Sequence, residues 1–280
     1  MPYQDYYSRD NVGSYGLSLF PYVSIMLSQA VITQLRNYAS LYETQDFLNG
    51  DPSWFMHQVK GRANQEVTAF VAAALSYGSR QQFMPKIEQL LQSAGGDLYH
   101  WILNGKYEAF IPDVQRCFYR LYTYKDMRRF LTVLQSLLLK YGSIGRFAKM
   151  AAQNVHEADS KGLKVLEELS EYFWSQNVPL FVPRPHSSAC KRPCMFLRWM
   201  VRDKSPVDLG LWTSFIPKTS LFIPLDTHVL QMANRLGVLQ NKTAGWSAVV
   251  KLTTAMKQVF PDDPARADFA LFGFDTDIKT

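Results

Sequence analysis

The chain has 280 residues, 47 % of them hydrophobic, with a formal net charge of +6 and a sequence pI near 9.1. This hydrophobic content is enough for a sizeable core and excludes wholesale disorder. The sequence holds no uninterrupted apolar stretch of about 18 residues, so no membrane span is predicted.

Residues 1–35 are interpreted as an extension ahead of the main domain. The apolar stretch Leu17–Ile32 is interrupted by Pro21 and by polar residues, and no net-basic leader precedes it, which is not typical of a signal peptide. We expect either a helix that packs on the body of the protein or a poorly ordered extension. The length of 280 residues is enough for one large domain or two small ones, and 36–280 is interpreted as one helical domain.

Helical periodicity dominates the rest of the chain. Apolar residues recur at intervals of three and four along stripes that begin at Val67, Met127 and Val229. No run with the two-residue period of a strand is convincing, so the sequence predicts an all-α fold. Further helices are predicted over 30–46, 80–93, 113–122, 143–153, 160–175, 192–202, 244–258 and 264–272.

Prolines and charges set one region of the chain apart. The run Pro179–Pro185 cannot be helical, because proline lacks an N–H group and forces the preceding residue towards extended geometry. Between Pro183 and Lys257, 11 Lys and Arg stand against three acids, a formal excess of +8. Such a basic region fits a nucleic-acid partner, and it also fits a solvated face or an acidic protein partner.

The chain has three cysteines, Cys117, Cys190 and Cys194. An odd, small number without framework spacing is typical of a reducing compartment, so a cytoplasmic protein is expected. The spacing does not fit a zinc ribbon or a four-thiolate cluster. We therefore expect ordinary thiols and neither a metal nor another cofactor.

The segment Pro224-Leu-Asp-Thr-His-Val229 carries the first candidate for chemistry. It approaches in extended conformation and leads into a helix that ends before Gly237. Asp226 or Thr227 is expected to cap that helix, and a carboxylate at this place stays ionised because it faces the positive end of the helix dipole. Gly237 fits the position after the helix end. By itself, the segment is a capped helix start.

Two further segments complete the candidate site. The stretch His186-Ser-Ser-Ala-Cys-Lys-Arg192 is a turn of small residues that feeds a helix, with Lys191 near the helix start. Arg198 and Arg202 lie one turn apart on that helix, on a face that is either solvated or phosphate-binding. The helix over 65–77 is followed by Gly78-Ser-Arg-Gln-Gln82.

These segments resemble the helix-hairpin-helix (HhH-GPD) superfamily of DNA glycosylases, which includes endonuclease III-like and 8-oxoguanine DNA glycosylases. The Pro-Leu-Asp-Thr-His-Val segment resembles the aspartate motif of that superfamily, and 66–78 resembles the early helix that ends near the DNA-intercalating loop. From about residue 40 onward the chain is similar to an uncharacterised bacterial family related to the superfamily. The segments that carry this similarity are 189–192, 196–202, 224–228 and 268–272.

The resemblance implies roles for the matching residues. Asp226 would stabilise the positively charged sugar as the base leaves, and Lys191 would be the nucleophile that forms a Schiff base with the sugar. The target base would have to be flipped out of double-stranded DNA, with Gln81, Gln82 or Phe83 as a wedge. Further DNA contacts are predicted at Ser187, Ser188, Arg192, Arg198, Arg202, Lys204 and Lys218.

Some features depart from the superfamily pattern. Glycosylase hairpins usually read Leu-Pro-Gly-Val-Gly, because glycine lets backbone N–H groups approach a phosphate, whereas Ser187, Ser188 and Ala189 stand here. Lys191 and Asp226 are separated by more residues than is usual. The four-cysteine iron–sulfur cluster of endonuclease III-like proteins is missing from the sequence.

The sequence therefore predicts an all-α, two-lobed helical fold of the HhH-GPD glycosylase type. The central lobe would span about 65–202, and 36–64 with 225–280 would form the second lobe. Lys191 and Asp226 are expected to face the cleft between the lobes. The expected function is that of a DNA glycosylase, with or without lyase activity. The alternatives are a catalytically inactive nucleic-acid-binding protein of the same fold, or a helical scaffold for a protein partner.

Overall fold

The computed structural model describes residues 26–279 and the side chains as far as Phe274. This part of the chain is built mainly from α-helices, with one two-stranded antiparallel sheet, so the predicted all-α class is confirmed. None of the described helices is both long and apolar enough to cross a membrane. The helices are α1 Gln29–Tyr42, α2 Trp54–His57, α3 Arg62–Leu75, α4 Arg80–Ser93, α5 Leu98–Leu103, α6 Tyr124–Tyr141, α7 Ile144–Gln153, α8 Lys161–Ser175, α9 Lys191–Val201, α10 Thr227–Arg235, α11 Trp246–Met256 and α12 Ala267–Lys279.

The predicted helix over 113–122 is wrong. This segment holds an antiparallel hairpin in which β1 (Cys117–Tyr119) pairs with β2 (Tyr122–Thr123). Arg120 occupies the two-residue turn between them with a φ of 50°, a left-handed conformation that a helix does not accommodate. Phe118, Tyr119 and Tyr122 of the hairpin are buried against the body of the protein.

The chain ends of the described region pack together. Residues 1–25, which make up most of the predicted extension, lie outside the described residues. From Gln29 onward the chain forms α1, whose buried face includes Leu35 and Ala39 and packs along α12. The approach is close, because Gly273 of α12 lies directly against the ring of Tyr42. α10 also packs on α12, and these three helices form one group.

A second group surrounds α3, which is buried along most of its length. α2, α4, α5, α7 and α9 all pack against it, including α2 from the segment predicted for the other lobe. The carboxylate of Glu66 on α3 is only 1 % exposed and accepts hydrogen bonds from Gly145 N at 2.9 Å and Trp212 Nε1 at 2.8 Å. These bonds tie α3 to α7 and to the connector that follows α9.

The two groups share one continuous hydrophobic core that extends from Leu35 to Leu271. They are also joined by an ion-pair network around Arg198 and Arg202 of α9, which are each 2 % exposed. Arg198 pairs with Asp208 and Asp268, and Arg202 pairs with Asp208, Asp263 and Glu43. Charges buried at this depth are stable only when they are paired and hydrogen-bonded, so the network fixes how α9 meets α12 and the end of α1.

Candidate functional site

A cleft of about 880 Å³ lies where the two groups of helices meet. Its walls come from the 76–80 turn between α3 and α4, the 183–192 turn that leads into α9, the 224–229 segment that leads into α10, and α12. The segment before α2 adds Phe47 and Asp51. The cleft is therefore assembled from parts of the chain that are distant in sequence.

Lys191 and Asp226 face each other in this cleft. Lys191 Nζ lies 2.6 Å from Asp226 Oδ2, and the two side chains are 38 % and 30 % exposed. Lys191 is the first residue of α9, and Asp226 is the N-cap of α10, where its Oδ1 accepts the backbone N–H of Val229 at 2.9 Å. One carboxylate thus caps a helix with one oxygen and pairs with the lysine through the other.

The electrostatic surroundings keep Asp226 ionised. Burial alone would raise the pKa of this carboxyl, but several groups oppose it. The charge and hydrogen bond of Lys191, the Val229 N–H and the charge of His228 together hold the pKa below its usual value of 3.8. The carboxylate is therefore negative at neutral pH and oriented towards the open cleft.

The turn before α9 holds Lys191 in place through an unusual backbone. His186 and Cys190 have φ values of 64° and 51°, left-handed conformations that cost a non-glycine residue roughly 1–2 kcal/mol. Ser188 Oγ donates to Arg184 O at 2.8 Å and accepts the backbone N–H of Cys190 at 3.1 Å. The left-handed residues thus flank Ser187 and Ser188, and the serine side chains close the turn on itself.

Arg192 follows Lys191 in sequence, but its side chain holds neighbouring segments of the chain together. Its guanidinium donates to Ala74 O at 2.7 Å, to Leu180 O at 2.7 Å and to Tyr122 Oη at 2.6 Å. It lines the cleft and connects the end of α3, the hairpin and the proline-containing loop. Its predicted contact with DNA stays a prediction.

The structure places Arg198 and Arg202 differently from the sequence interpretation. Both were expected on a surface that meets phosphates, yet their guanidinium groups are buried in the network described above. The one-turn spacing of the two arginines by itself indicates a solvated or phosphate-binding face, because local sequence patterns carry no information about Asp268 of α12 and Glu43 after α1. These two arginines are not among the nucleic-acid contacts that we propose.

The other predicted DNA contacts are dispersed. Lys204 and Lys218 lie beyond the far end of α9, away from the cleft wall, and Lys218 Nζ pairs with Asp203 at 2.9 Å. Gln81 and Gln82 are exposed in the first turn of α4, beside Arg80, which does line the cleft. Phe83 is buried in the cleft wall, 4 % exposed.

The basic region does not form a uniformly positive face. Six of its 11 Lys and Arg pair with carboxylates, several of them from distant parts of the chain. The formal excess of +8 is therefore largely neutralised within the fold. The paired residues are Arg184, Lys191, Arg198, Arg202, Lys218 and Lys257.

Two ion pairs of the cleft were missed by the sequence interpretation. Arg80 Nη2 lies 3.4 Å from Asp51 Oδ2, and Asp268 of α12 pairs with Arg198. Burial raises the pKa of the Asp268 carboxyl in spite of the opposing charges of Arg198 and Lys191. Asp268 belongs to a segment that carried the family similarity, but nothing in the sequence indicated that it reaches the cleft. Within the described residues, no group of three or more His, Cys, Asp or Glu is arranged to hold a metal ion.

Comparison with known proteins assigns most of the chain to one protein family. The profile of a family described as "Protein of unknown function (DUF2400)" matches residues 51–277. No curated protein and no solved structure gives a significant match. The match includes the segments that contribute Lys191, Asp226 and Asp268.

Proposed function

The chain belongs to the DUF2400 family, and we propose that this member is a base-excision enzyme, a DNA glycosylase that uses Lys191 and Asp226. One observation carries the proposal: Lys191 Nζ and Asp226 Oδ2 lie 2.6 Å apart in an open cleft. An amine and an ionised carboxylate that share a concave, solvent-accessible site can act as a nucleophile and as a stabiliser of positive charge.

The proposal extends to the fold, for which we infer the helix-hairpin-helix type of this superfamily. Three features support it. A tight turn over 183–190 leads into α9, and an aspartate caps α10 after an irregular connector. The cleft lies between the helices around α3 and the group that joins α1 to α10 and α12.

The chemistry begins from a protonated lysine. In the ion pair with Asp226 the Lys191 amine has no free lone pair, so its proton must leave to solvent water before the reaction, while Asp226 stays ionised. The neutral amine then attacks C1′ of the sugar, and the bond from C1′ to the base breaks with its electron pair on the base nitrogen. The base takes up a proton, and the amine nitrogen loses one. Opening of the sugar ring, with proton uptake by O4′, gives the Schiff base.

Asp226 contributes through its charge. Positive charge develops on the sugar as the base departs, and a carboxylate fixed by the Val229 N–H stabilises it without having to reorient. Because its pKa is below 3.8, Asp226 is ionised throughout the neutral range. A target base must leave the duplex to reach the pair, and the cleft offers about 880 Å³.

Borohydride trapping tests the proposal directly. The protein is incubated with double-stranded oligonucleotides that carry a panel of damaged or mispaired bases, and covalent adducts are resolved by denaturing electrophoresis. We expect an adduct with at least one lesion, lost in Lys191→Met and strongly reduced in Asp226→Asn. Asparagine also caps helices well, so the second variant removes the charge while leaving α10 capped.

The matched control is a second Lys–Asp pair near the other end of α9. Lys218 Nζ lies 2.9 Å from Asp203 Oδ1, and neither residue lies on the cleft wall. Asp203→Asn, which removes a paired carboxylate as Asp226→Asn does, should therefore trap like the unmodified protein. No adduct, no strand cleavage and no base release with any lesion would reject the enzyme proposal.

A catalytically inactive nucleic-acid-binding protein is the second candidate. The observation that favours it is the turn before α9, where Ser187 and Ser188 stand in place of the glycines of the glycosylase pattern. Their hydroxyl groups donate to Arg184 O within the turn. Binding that is independent of lesions, falls with salt and is unchanged in Asp226→Asn would support this candidate over the first.

A further inference from the structure

At one edge of the cleft lies a surface that differs from its interior, and we call it the Tyr77 rim. It consists of Tyr77, Arg120, Leu121, Leu180 and Arg192. Tyr77 lines the cleft and is 43 % exposed, while Leu121 and Leu180 are 68 % and 47 % exposed. Three large apolar side chains thus stand in solvent beside two arginines, at the entrance to the proposed reacting pair.

In the Tyr77 rim both arginines lie close to one aromatic ring. Arg120 Cζ lies 5.1 Å and Arg192 Cζ lies 5.9 Å from the centroid of the Tyr77 ring. Tyr119 Oη donates to the backbone oxygen of Tyr77, which fastens the β1–β2 hairpin to the cleft edge. Arg120 also covers Gly78, where φ is +90° and a Cβ atom would meet its guanidinium.

The charges of the rim distinguish it from the rest of the cleft. Arg80, Lys191 and Arg198 each pair with a carboxylate in the cleft wall. Among the residues that the structure describes, Arg120 and Arg192 have no carboxylate partner, and Arg192 donates only to neutral oxygens. Two positive charges without a carboxylate partner therefore lie beside the exposed ring of Tyr77.

We propose that the Tyr77 rim binds an unpaired stretch of a nucleic-acid strand next to the cleft. Phosphates complement the charges of Arg120 and Arg192, and a splayed base packs against Tyr77 and Leu121. A fully paired duplex keeps its base faces stacked on one another and offers this surface only its backbone. The inference rests on the proposed function and deepens it, because it states that the strand flanking the reacting nucleotide is held unpaired.

Fluorescence anisotropy with labelled 12-mers tests the proposal on the full chain. The probes are single-stranded oligothymidine, a fully paired duplex, and a duplex with a central three-nucleotide bubble. Tyr77→Leu should weaken binding to the single strand and the bubble about tenfold or more, in line with the loss of base stacking on an aromatic ring, while duplex binding changes little. Leu121→Ser should weaken binding to the same two probes by a smaller factor, because it removes only an apolar contact. Arg120→Ala should lower the slope of log affinity against log salt by about 1.

Matched controls lie at the far end of α6, about 22 Å along the helix from the hairpin. Leu139 is 66 % exposed, close to the exposure of Leu121. Lys140 Nζ lies 5.1 Å from the Tyr141 ring, the same separation as Arg120 from Tyr77. Leu139→Ser and Lys140→Ala should leave all three affinities and the salt slope unchanged, and circular dichroism should show that every variant keeps its helices.

The outcomes separate this inference from the chemistry. Rim variants that bind all three probes like the unmodified protein, or that lose duplex and single-strand binding equally, overturn the inference even if a borohydride adduct forms. Loss confined to unpaired probes supports the inference even if no lesion is trapped, in which case only the proposed chemistry fails.

Discussion

Lys191 Nζ and Asp226 Oδ2 lie 2.6 Å apart although 35 positions of sequence separate the two residues. The same carboxylate caps α10 through its other oxygen, which accepts the Val229 N–H. Charge and capping are therefore properties of one side chain, and substitutions can separate them.

Asp226→Asn and Asp226→Ala should differ in stability but not in activity. Asparagine keeps an acceptor for the Val229 N–H, whereas alanine loses the cap at a cost of about 1 kcal/mol. Both lose the negative charge, so trapping should be strongly reduced in both. Urea unfolding measures the first effect and borohydride trapping the second. Equal unfolding midpoints for the two variants would show that the cap contributes nothing.

Lys191→Met should raise the pKa of Asp226. Burial favours the neutral acid, and the lysine charge with its hydrogen bond is the largest influence that opposes burial. Carboxyl carbon chemical shifts followed by NMR over an acidic titration give the value. Lys218→Met is the control, since its partner is Asp203, and it should leave the titration of Asp226 in place.

The same pair sets a pH dependence of stability. The folded-state pKa of Asp226 is below 3.8, so its stabilising contribution is complete above that value and is lost as the pH falls through the folded pKa. Unfolding free energy measured between pH 5 and pH 3 should therefore fall less steeply in Lys191→Met. Parallel curves for the two proteins would contradict the pairing.

Arg202→Met should destabilise the protein strongly. It leaves the carboxylates of Glu43, Asp208 and Asp263 without their shared partner in a buried site, which typically costs about 3–5 kcal/mol. Lys204→Met, an exposed neighbour two residues on, should stay within about 0.5 kcal/mol. Chemical denaturation compares the two, and similar values would show that the network adds little.

Gly162→Ala should also be costly. Gly162 lies in α8 where a Cβ atom would meet the backbone oxygen of Ser220, and backbone has little freedom to move aside. Overpacking of this kind costs about 1–3 kcal/mol. Gly245→Ser is the control, because a Cβ there meets open space and serine suits the N-cap of α11. Thermal unfolding should show a drop only for the first variant.

Sequence patterns predicted those features of the fold that depend on interactions between residues close in sequence. The start of α10 at an aspartate cap and its end before Gly237, which has a φ of 71°, follow from residues within one helical turn. The hairpin over 117–123 was missed because its strands are too short to show a period, and because the left-handed turn falls on Arg120 and not on a glycine.

Long-range partners could not be predicted in the same way. Arg198 and Arg202 form a stripe that looks like a charged surface until α12 and the end of α1 bring Asp268 and Glu43 to them. Pairing between such distant positions depends on how the helices pack together, and the periodicity of a sequence carries no information about that packing. The proximity of Lys191 and Asp226 was expected only from the family resemblance, because nothing local links the starts of two helices 35 positions apart.

The packing of α1 on α12 places residues that precede the family match in contact with the body of the protein. The family match begins at residue 51, after α1, yet Glu43 pairs with Arg202 and Arg266 and Phe47 lines the cleft. A shortened protein starting at residue 51 would keep Lys191 and Asp226 but would lose α1, which packs on the helix that carries Asp268. We therefore expect the residues before 51 to contribute to stability, and a protein truncated at residue 51 should unfold at a lower temperature than the full chain.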